Sequence, residues 1–272
     1  MLEQITGLLH FVGAKMLTWR GKAFCDGHWE GAQLKTKADQ ESHRLISEGL
    51  FKLAPYPCIS EEDVDSHINE RPSIYWLIDP IDGTASFCGG FDGFVTQVAL
   101  MQDGRPILAV VHAPALSLTY TATEHGPALC NNTSIETAAC ADSAIILIDN
   151  YPEPRGFTQS LYKGMGCSGY VESGSLGLKI CRVADGTADL FVKDVMIRDW
   201  DLAPADLILA RSGGELTTLE GDPIPYNGGF KRKGLIAAAN STLAKSVCTW
   251  VRQNHISICR DDDNFTPVLR SP

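Results

Sequence analysis

A layered α/β fold is predicted by three features of the 272-residue chain. Helix-spaced apolar residues open it. A set of short apolar strands, joined by turn signals, fills its middle. Strand and helix patterns then alternate to the end.

Ile5, Leu8, Leu9, Val12, Met16 and Leu17 recur with helical spacing. A second helix is predicted from about Lys37 to Leu53. Thr36 with Asp39 three residues on resembles a cap with an acidic first turn, and Leu45, Ile46, Leu50 and Leu53 form the apolar stripe. Pro55 and Pro57 end it. Ile74–Ile78 reads as a buried strand stopping at Asp79-Pro80. Val95–Met101 and Pro106–His112 follow, and Asp103-Gly104 between them signals a hairpin. Leu118–Thr123 is a further strand. The small, polar stretch Asn131–Ser143 reads as the seam between an N-terminal part, 1–137, and a C-terminal part, 138–272. Beyond it are predicted a strand at Ala144–Ile148, a helix at Ser175–Ala184, a strand at Leu190–Lys193 and a helix at Asp201–Arg211. Gly213-Gly214 closes that helix. A strand at Gly234–Ala239 and a helix from Ser241 to about Gln253 finish the chain.

Hydrophobic residues make up 44% and charged residues 21%, as in a globular protein. No apolar run reaches the roughly 18 residues that span a bilayer. Met1–Arg20 lacks the pattern of a signal peptide, so a soluble cytoplasmic protein without membrane partners is expected. A net charge of −10 argues against nucleic acid, and the one basic run, Lys231-Arg232-Lys233, is short. The nine cysteines are odd in number and none forms CxxC, which argues against a disulfide framework or a zinc ribbon.

The chemistry concentrates at Trp76-Leu77-Ile78-Asp79-Pro80-Ile81-Asp82-Gly83-Thr84. An apolar strand delivers Asp79 to its C-terminal end, and Pro80 bars that residue from a helix. Asp82 returns three residues later. Hard oxygen donors at this spacing, with the Ile81 carbonyl between them, suit Mg²⁺ or Mn²⁺. Gly83 lets the backbone approach an anion, and Thr84 offers a hydroxyl and an amide at a helix start. Phosphatases with DxDGT after a strand use the first Asp as nucleophile. Here Pro80 stands in its place, so that chemistry is excluded.

Three further segments are ambiguous alone. Ser60-Glu61-Glu62-Asp63 alone reads as a solvated acidic turn, but two metal ions need more carboxylate than Asp79 and Asp82 supply. Asp201, in Asp199-Trp200-Asp201, reads as a helix N-cap with Pro204 in the first turn, or as a late metal ligand. Gly174-Ser175 is a helix start with Lys179 one turn on; it is an ordinary cap or an anion site. Nucleophile elbow and Walker loop are absent, and the seven histidines lack metal-ligand spacing.

Glu61-Glu62, then Asp79-Pro80-Ile81-Asp82-Gly83-Thr84, then Trp200-Asp201, in this order, resemble the inositol monophosphatase superfamily. The resemblance implies an alternating α/β/α/β/α sandwich, usually a homodimer, often inhibited by Li⁺. It also implies a Mg²⁺-dependent phosphomonoesterase acting on a small phosphorylated metabolite. By resemblance, Glu61, Asp79, the Ile81 carbonyl, Asp82 and Asp201 are the ligands of two or three Mg²⁺ ions. Asp39 pairs with Thr84 to orient the attacking water, and Glu61 belongs with them to the catalytic set. Gly83 and Thr84 cradle phosphate, while Ser175 and Asp194 lie where family members contact the organic part of the substrate. Ala99-Leu100-Met101, Pro106–Val111, Ala113-Pro114, the Ser60–Asp63 run and Lys179 look closer to the bacterial 3′(2′),5′-bisphosphate nucleotidases. Lys179 is then the expected partner of a second phosphate, at the pocket rim. Asp194, seven residues before Asp201, points instead to inositol-1-monophosphatases, although Ala85-Ser86-Phe87 departs from their Thr-Asn-Phe. A catalytically dead metabolite-binding regulator is the alternative from another class; every catalytic position is filled by a competent residue.

Overall fold

A computed structural model describes residues 1–21, 23–30, 33–68, 70–138 and 144–254. In chain order the elements are α1 (Leu2–Trp19), β1 (Gly27–Glu30), β2 (Gln33–Thr36), α2 (Lys37–Leu53), β3 (Cys58–Ser60), β4 (Ile74–Asp82), α3 (Thr84–Cys88), β5 (Val95–Gln102), β6 (Arg105–Ala113), β7 (Leu118–Thr123), β8 (Leu129–Cys130) and β9 (Thr133–Ser134). The second half adds β10 (Ile146–Asp149), α4 (Gly156–Gly164), β11 (Gly169–Glu172), α5 (Leu176–Ala184), β12 (Leu190–Arg198), α6 (Asp199–Arg211), β13 (Glu215–Thr217), β14 (Lys231–Ala238) and α7 (Ser241–Gln253).

Two large sheets result. The first runs in the order β3-β4-β5-β6-β7-β8-β9, with β3 and β4 parallel and the rest antiparallel. The second runs β11-β10-β12-β14-β13, parallel on one side and antiparallel on the other. Period-two alternation assigns each strand residue to a layer. Trp76, Ile78, Val98 and Val110 face Ile5, Leu9, Val12, Ile46 and Leu50 of α1 and α2. Tyr75, Leu77, Ala99 and Val111 face α5, α6 and the inner face of the second sheet, where Phe191, Leu235 and Ala237 lie. Leu147, Leu190, Val192 and Ile236 face outward onto Leu161 of α4 and Leu243, Val247 and Val251 of α7. The architecture is therefore the expected α/β/α/β/α sandwich.

Most differences from the sequence reading have local causes. β1 and β2 pair antiparallel, with no apolar alternation to announce them. The polar seam contains the β8–β9 hairpin, turned by Asn131 and Asn132 at positive φ; residues 139–143 lie outside the described residues. α4 and β11 carry short, mixed patterns that give no clear period. β12 continues to Arg198 because β14 pairs with it across a bulge between Lys193 and Met196. Asp201 is not an N-cap. α6 begins at Asp199, and Asp201 is its third residue, accepting from the Arg198 amide at 2.8 Å. Pro204 consequently falls inside the helix, not in its opening positions.

Candidate active site

β4 runs on through Pro80 to Asp82, and its register with β5 slips on the way. Asp79 pairs with Gln97, but Asp82 pairs with Val95, so three steps on β4 meet two on β5. Strand residues three apart point to opposite faces, and one extra residue restores a common side. The bulge thus brings Asp79 and Asp82 together. Parallel pairing of β3 with β4 places Glu61 beside them, its amide bonded to the Ile78 carbonyl at 3.2 Å. α6 adds Asp201 from the other half of the chain. One carboxylate oxygen each of Glu61, Asp79 and Asp201 lies within 4.8 Å of the other two.

Asp82 lies at the edge of this group. Its carboxylate accepts from the Gly177 amide at 2.7 Å and the Leu176 amide at 3.3 Å, at the N-terminus of α5. Ser175 caps that helix by accepting from the Leu178 amide. Gly83 has φ of 90°, and a Cβ there would stand 3.2 Å from Cβ of Ser175, so only glycine fits the turn without strain. Gly174 lies against Gly93, where an added Cβ would sit 1.9 Å from the carbonyl oxygen. That same carbonyl accepts from the Ser175 amide at 2.7 Å.

The expected Asp39–Thr84 pair is present. The Thr84 hydroxyl lies 2.9 Å from Asp39 Oδ1 and 3.1 Å from the Ile81 carbonyl. The other Asp39 oxygen accepts from the Thr36 amide at 2.8 Å and the Thr36 hydroxyl at 2.5 Å, closing a capping box. The cap that starts α2 therefore also aims Asp39 at the site.

Lys179 is neither at the rim nor in solvent. It is 1% exposed. Its ammonium donates to Asn150 Oδ1 at 2.6 Å and to the Gly174 carbonyl, over the Phe191 ring. Burial, then the charge of Lys193, lower its pKa to about 7. Asp194 stands half-buried in the β12 bulge.

Three supporting residues escaped the sequence reading. Lys35 donates to Glu62 at 2.7 Å and to the Glu61 carbonyl at 3.3 Å. His67 stacks on Trp200 and bonds the Ser60 carbonyl at 2.7 Å. Gln97 is the most informative. Pro204 has no N–H for the Trp200 carbonyl four residues back. Gln97 Nε2 fills that gap at 3.0 Å and reaches Asp79 Oδ2 at 3.3 Å. A glutamine among Val95, Ala99 and Met101 on the inward face of β5 was the available signal.

Burial is the first cause of every carboxyl shift here. It raises Asp39 to about 6 and Glu61 to about 7, and lifts Asp79, Asp82 and Asp201 as well. Repulsion among the neighbouring carboxylates adds to the shift of Glu61, Asp79 and Asp201. Asp79 Oδ1 is buried without a hydrogen-bond partner. A cluster of hard oxygen donors that repel one another, one of them orphaned, fits a divalent cation of the Mg²⁺ type.

Five alternating layers gather buried acidic groups where two sheets meet, an arrangement fit to hold a divalent cation. Residues 19–255 match the inositol monophosphatase family. The chain is 32% identical over 201 residues to the 3′(2′),5′-bisphosphate nucleotidase CysQ of Aggregatibacter actinomycetemcomitans, covering 71% of this chain and 74% of that one. It is 31% identical to CysQ of Escherichia coli K12, covering 70% and 78%. Among solved structures, an IMPase from Thermotoga maritima superposes with a TM-score of 0.78 at 26% identity, over 93% of this chain and 97% of that one. The suhB protein of Bartonella henselae gives 0.79 at 22%, over 92% and 98%. The chain belongs to the inositol monophosphatase family and is a phosphatase of that superfamily.

Proposed function

We propose that the chain is a Mg²⁺-dependent phosphomonoesterase whose substrate is a 3′(2′),5′-bisphosphate nucleotide. The observation that carries the metal is the buried Glu61–Asp79–Asp201 cluster, with Asp79 Oδ1 unpartnered. Glu61, Asp79, the Ile81 carbonyl, Asp82 and Asp201 would hold two or three Mg²⁺ ions, with Mn²⁺ as a substitute. When bound, the metal supplies charge neutralisation for the phosphate and a lowered pKa for water.

The chain's own residues handle the proton. Thr84 donates its hydroxyl hydrogen to Asp39, leaving its oxygen lone pair to accept from the attacking water. Asp39, raised to about 6, is ionised near neutral pH and still basic enough to draw that proton. Gly83 and Thr84 receive the phosphate, and Ser175 and Asp194 meet the organic part. Among the described residues no side chain is placed as a nucleophile, so water is the attacking group.

The substrate reading rests on the CysQ relatives. Lys179 serves it indirectly, by holding Gly174-Ser175, since its ammonium is buried. The second reading, inositol-1-monophosphatase, is favoured by Asp194 and by the likeness to the Thermotoga maritima IMPase. A homodimer in the cytoplasm completes the proposal. Phosphate release from 3′-phosphoadenosine 5′-phosphate, inositol 1-phosphate and fructose 1,6-bisphosphate, with Mg²⁺ and with EDTA, tests it. A tenfold or greater preference in kcat/KM for inositol 1-phosphate would replace the nucleotidase reading and leave the phosphatase intact.

A further inference from the structure

Two cysteines that the proposed mechanism does not use lie side by side next to it. Cys25 ends a single 3₁₀ turn, Ala23–Cys25, ahead of the hairpin that delivers Lys35 and Thr36. Cys88 ends α3, one helical turn after Thr84. Sixty-two residues separate them, yet both pack against the same apolar cluster, close enough for one sulfur to act on the other. The end of α1 clamps both segments. Trp19 stacks on Phe24, rings 4.8 Å apart, and Arg20 donates to the Phe87 carbonyl at 3.2 Å. Phe24 and Phe87 each directly precede one of the two cysteines. Both sulfurs pack on the same apolar cluster beneath α1 and α2, and both residues are free and half-buried.

We infer that Cys25 and Cys88 form an oxidant-sensitive thiol pair, closed to a disulfide by a hydroperoxide and reopened by a dithiol. Cys25 attacks the peroxide oxygen, giving a sulfenic acid and releasing the alcohol or water. The Cys88 sulfur then attacks the Cys25 sulfur and expels water. Two thiols lose two electrons and two protons, and one peroxide is reduced. Burial and the neighbouring Cys25 sulfur raise the Cys88 pKa, so its thiolate is scarce and the resolving attack is the slow step.

The consequence rests on the phosphatase reading. Closing the bond draws the end of α3 toward the turn before β1. Thr84 lies on the same short helix and bonds Asp39, the acid set by the Thr36 cap. A shift of about an ångström at catalytic groups can cost about a hundredfold in rate.

The test treats the full chain with stoichiometric hydrogen peroxide and reads two signals. Non-reducing peptide mapping should show a Cys25–Cys88 cross-link, two hydrogens lighter than the free thiols. Phosphatase turnover should fall about tenfold or more and return with dithiothreitol. C25S and C88S should each keep turnover through the treatment, while C58S, which removes another half-buried thiol, should remain sensitive. Absence of the Cys25–Cys88 peptide overturns the inference, as does equal inactivation of C25S. The mapping signal needs no activity, so an inactive phosphatase assay would refute the functional reading without touching the thiol pair.

Discussion

Replacing Asp39 by Asn should stabilise the metal-free protein while removing its activity. Asp39 is 3% exposed, and burial raises its pKa from 3.8 to about 6. A raised folded-state pKa means that the folded chain binds the proton more tightly than the unfolded chain. Below pH 3.8 the group is neutral in both states and costs nothing. Between 3.8 and about 6 the unfolded chain ionises first, and stability falls as pH rises. Above 6 the loss is complete. Roughly two units at 1.36 kcal/mol each gives about 3 kcal/mol. Asn keeps an acceptor for the Thr36 amide and carries no charge, so the variant escapes that cost. For a chain of this size the gain corresponds to roughly 6–12 °C in Tm. Thermal melts of both proteins in EDTA should coincide near about pH 4 and separate by that amount near about pH 7.5. Turnover with Mg²⁺ should fall at least about a hundredfold, since Asn cannot take the Thr84 proton. A gap in Tm that does not widen with pH would refute the argument.

Asp82→Asn should lower turnover by at least about a hundredfold, and EDTA should abolish wild-type activity that added Mg²⁺ restores; an Asp82→Asn rate within tenfold of wild type contradicts its assignment as a ligand. Thr84→Ala should slow the chemical step with little change in substrate affinity, and adding Asp39→Asn should make it no worse than the poorer single variant; fully additive losses would separate the two residues. Gln97→Leu leaves the Trp200 carbonyl and Asp79 without their shared donor, and urea melts should show a loss of roughly 1–3 kcal/mol.

The parts of the fold legible in the sequence are those where local chemistry and tertiary packing agree. Thr36 and Asp39 announce the start of α2 and form a capping box there. Asp103-Gly104 announces the β5–β6 hairpin, and both residues adopt positive φ. What stayed hidden depends on partners far along the chain. β1 and β2 have no apolar alternation of their own, and Gly27 and His28 of β1 are exposed. Asp201 looked like an N-cap because the helix dihedrals of Asp199 and Trp200 are set by packing, with both residues fully buried. The ligand set came through the resemblance; the bulge that unites Asp79 and Asp82 is a property of pairing with β5. Lys179 shows the opposite failure. Helical spacing correctly put it on the face of Ser175, but spacing cannot say whether that face meets solvent or a second sheet.

Asp79 and Asp82 are held by contacts to elements distant in sequence and Asp201 by the amide that precedes its helix, and the energetics explain why. Gathering Glu61, Asp79 and Asp201 within 4.8 Å costs desolvation and repulsion until a cation arrives. Left to one flexible segment, the carboxylates would relax outward to water. Here relaxation is blocked. Asp79 is tied through Gln97 to the carbonyl that Pro204 frees in α6. Asp201 is tied to the Arg198 amide, and Asp82 to the first amides of α5. The Gly93–Gly174 contact fixes the distance between the halves, since neither position has space for a Cβ. The two sheets therefore meet at a site that is costly when empty of charge compensation, and the irregular features around it, the bulge at Pro80 and the proline inside α6, supply the contacts that keep it assembled.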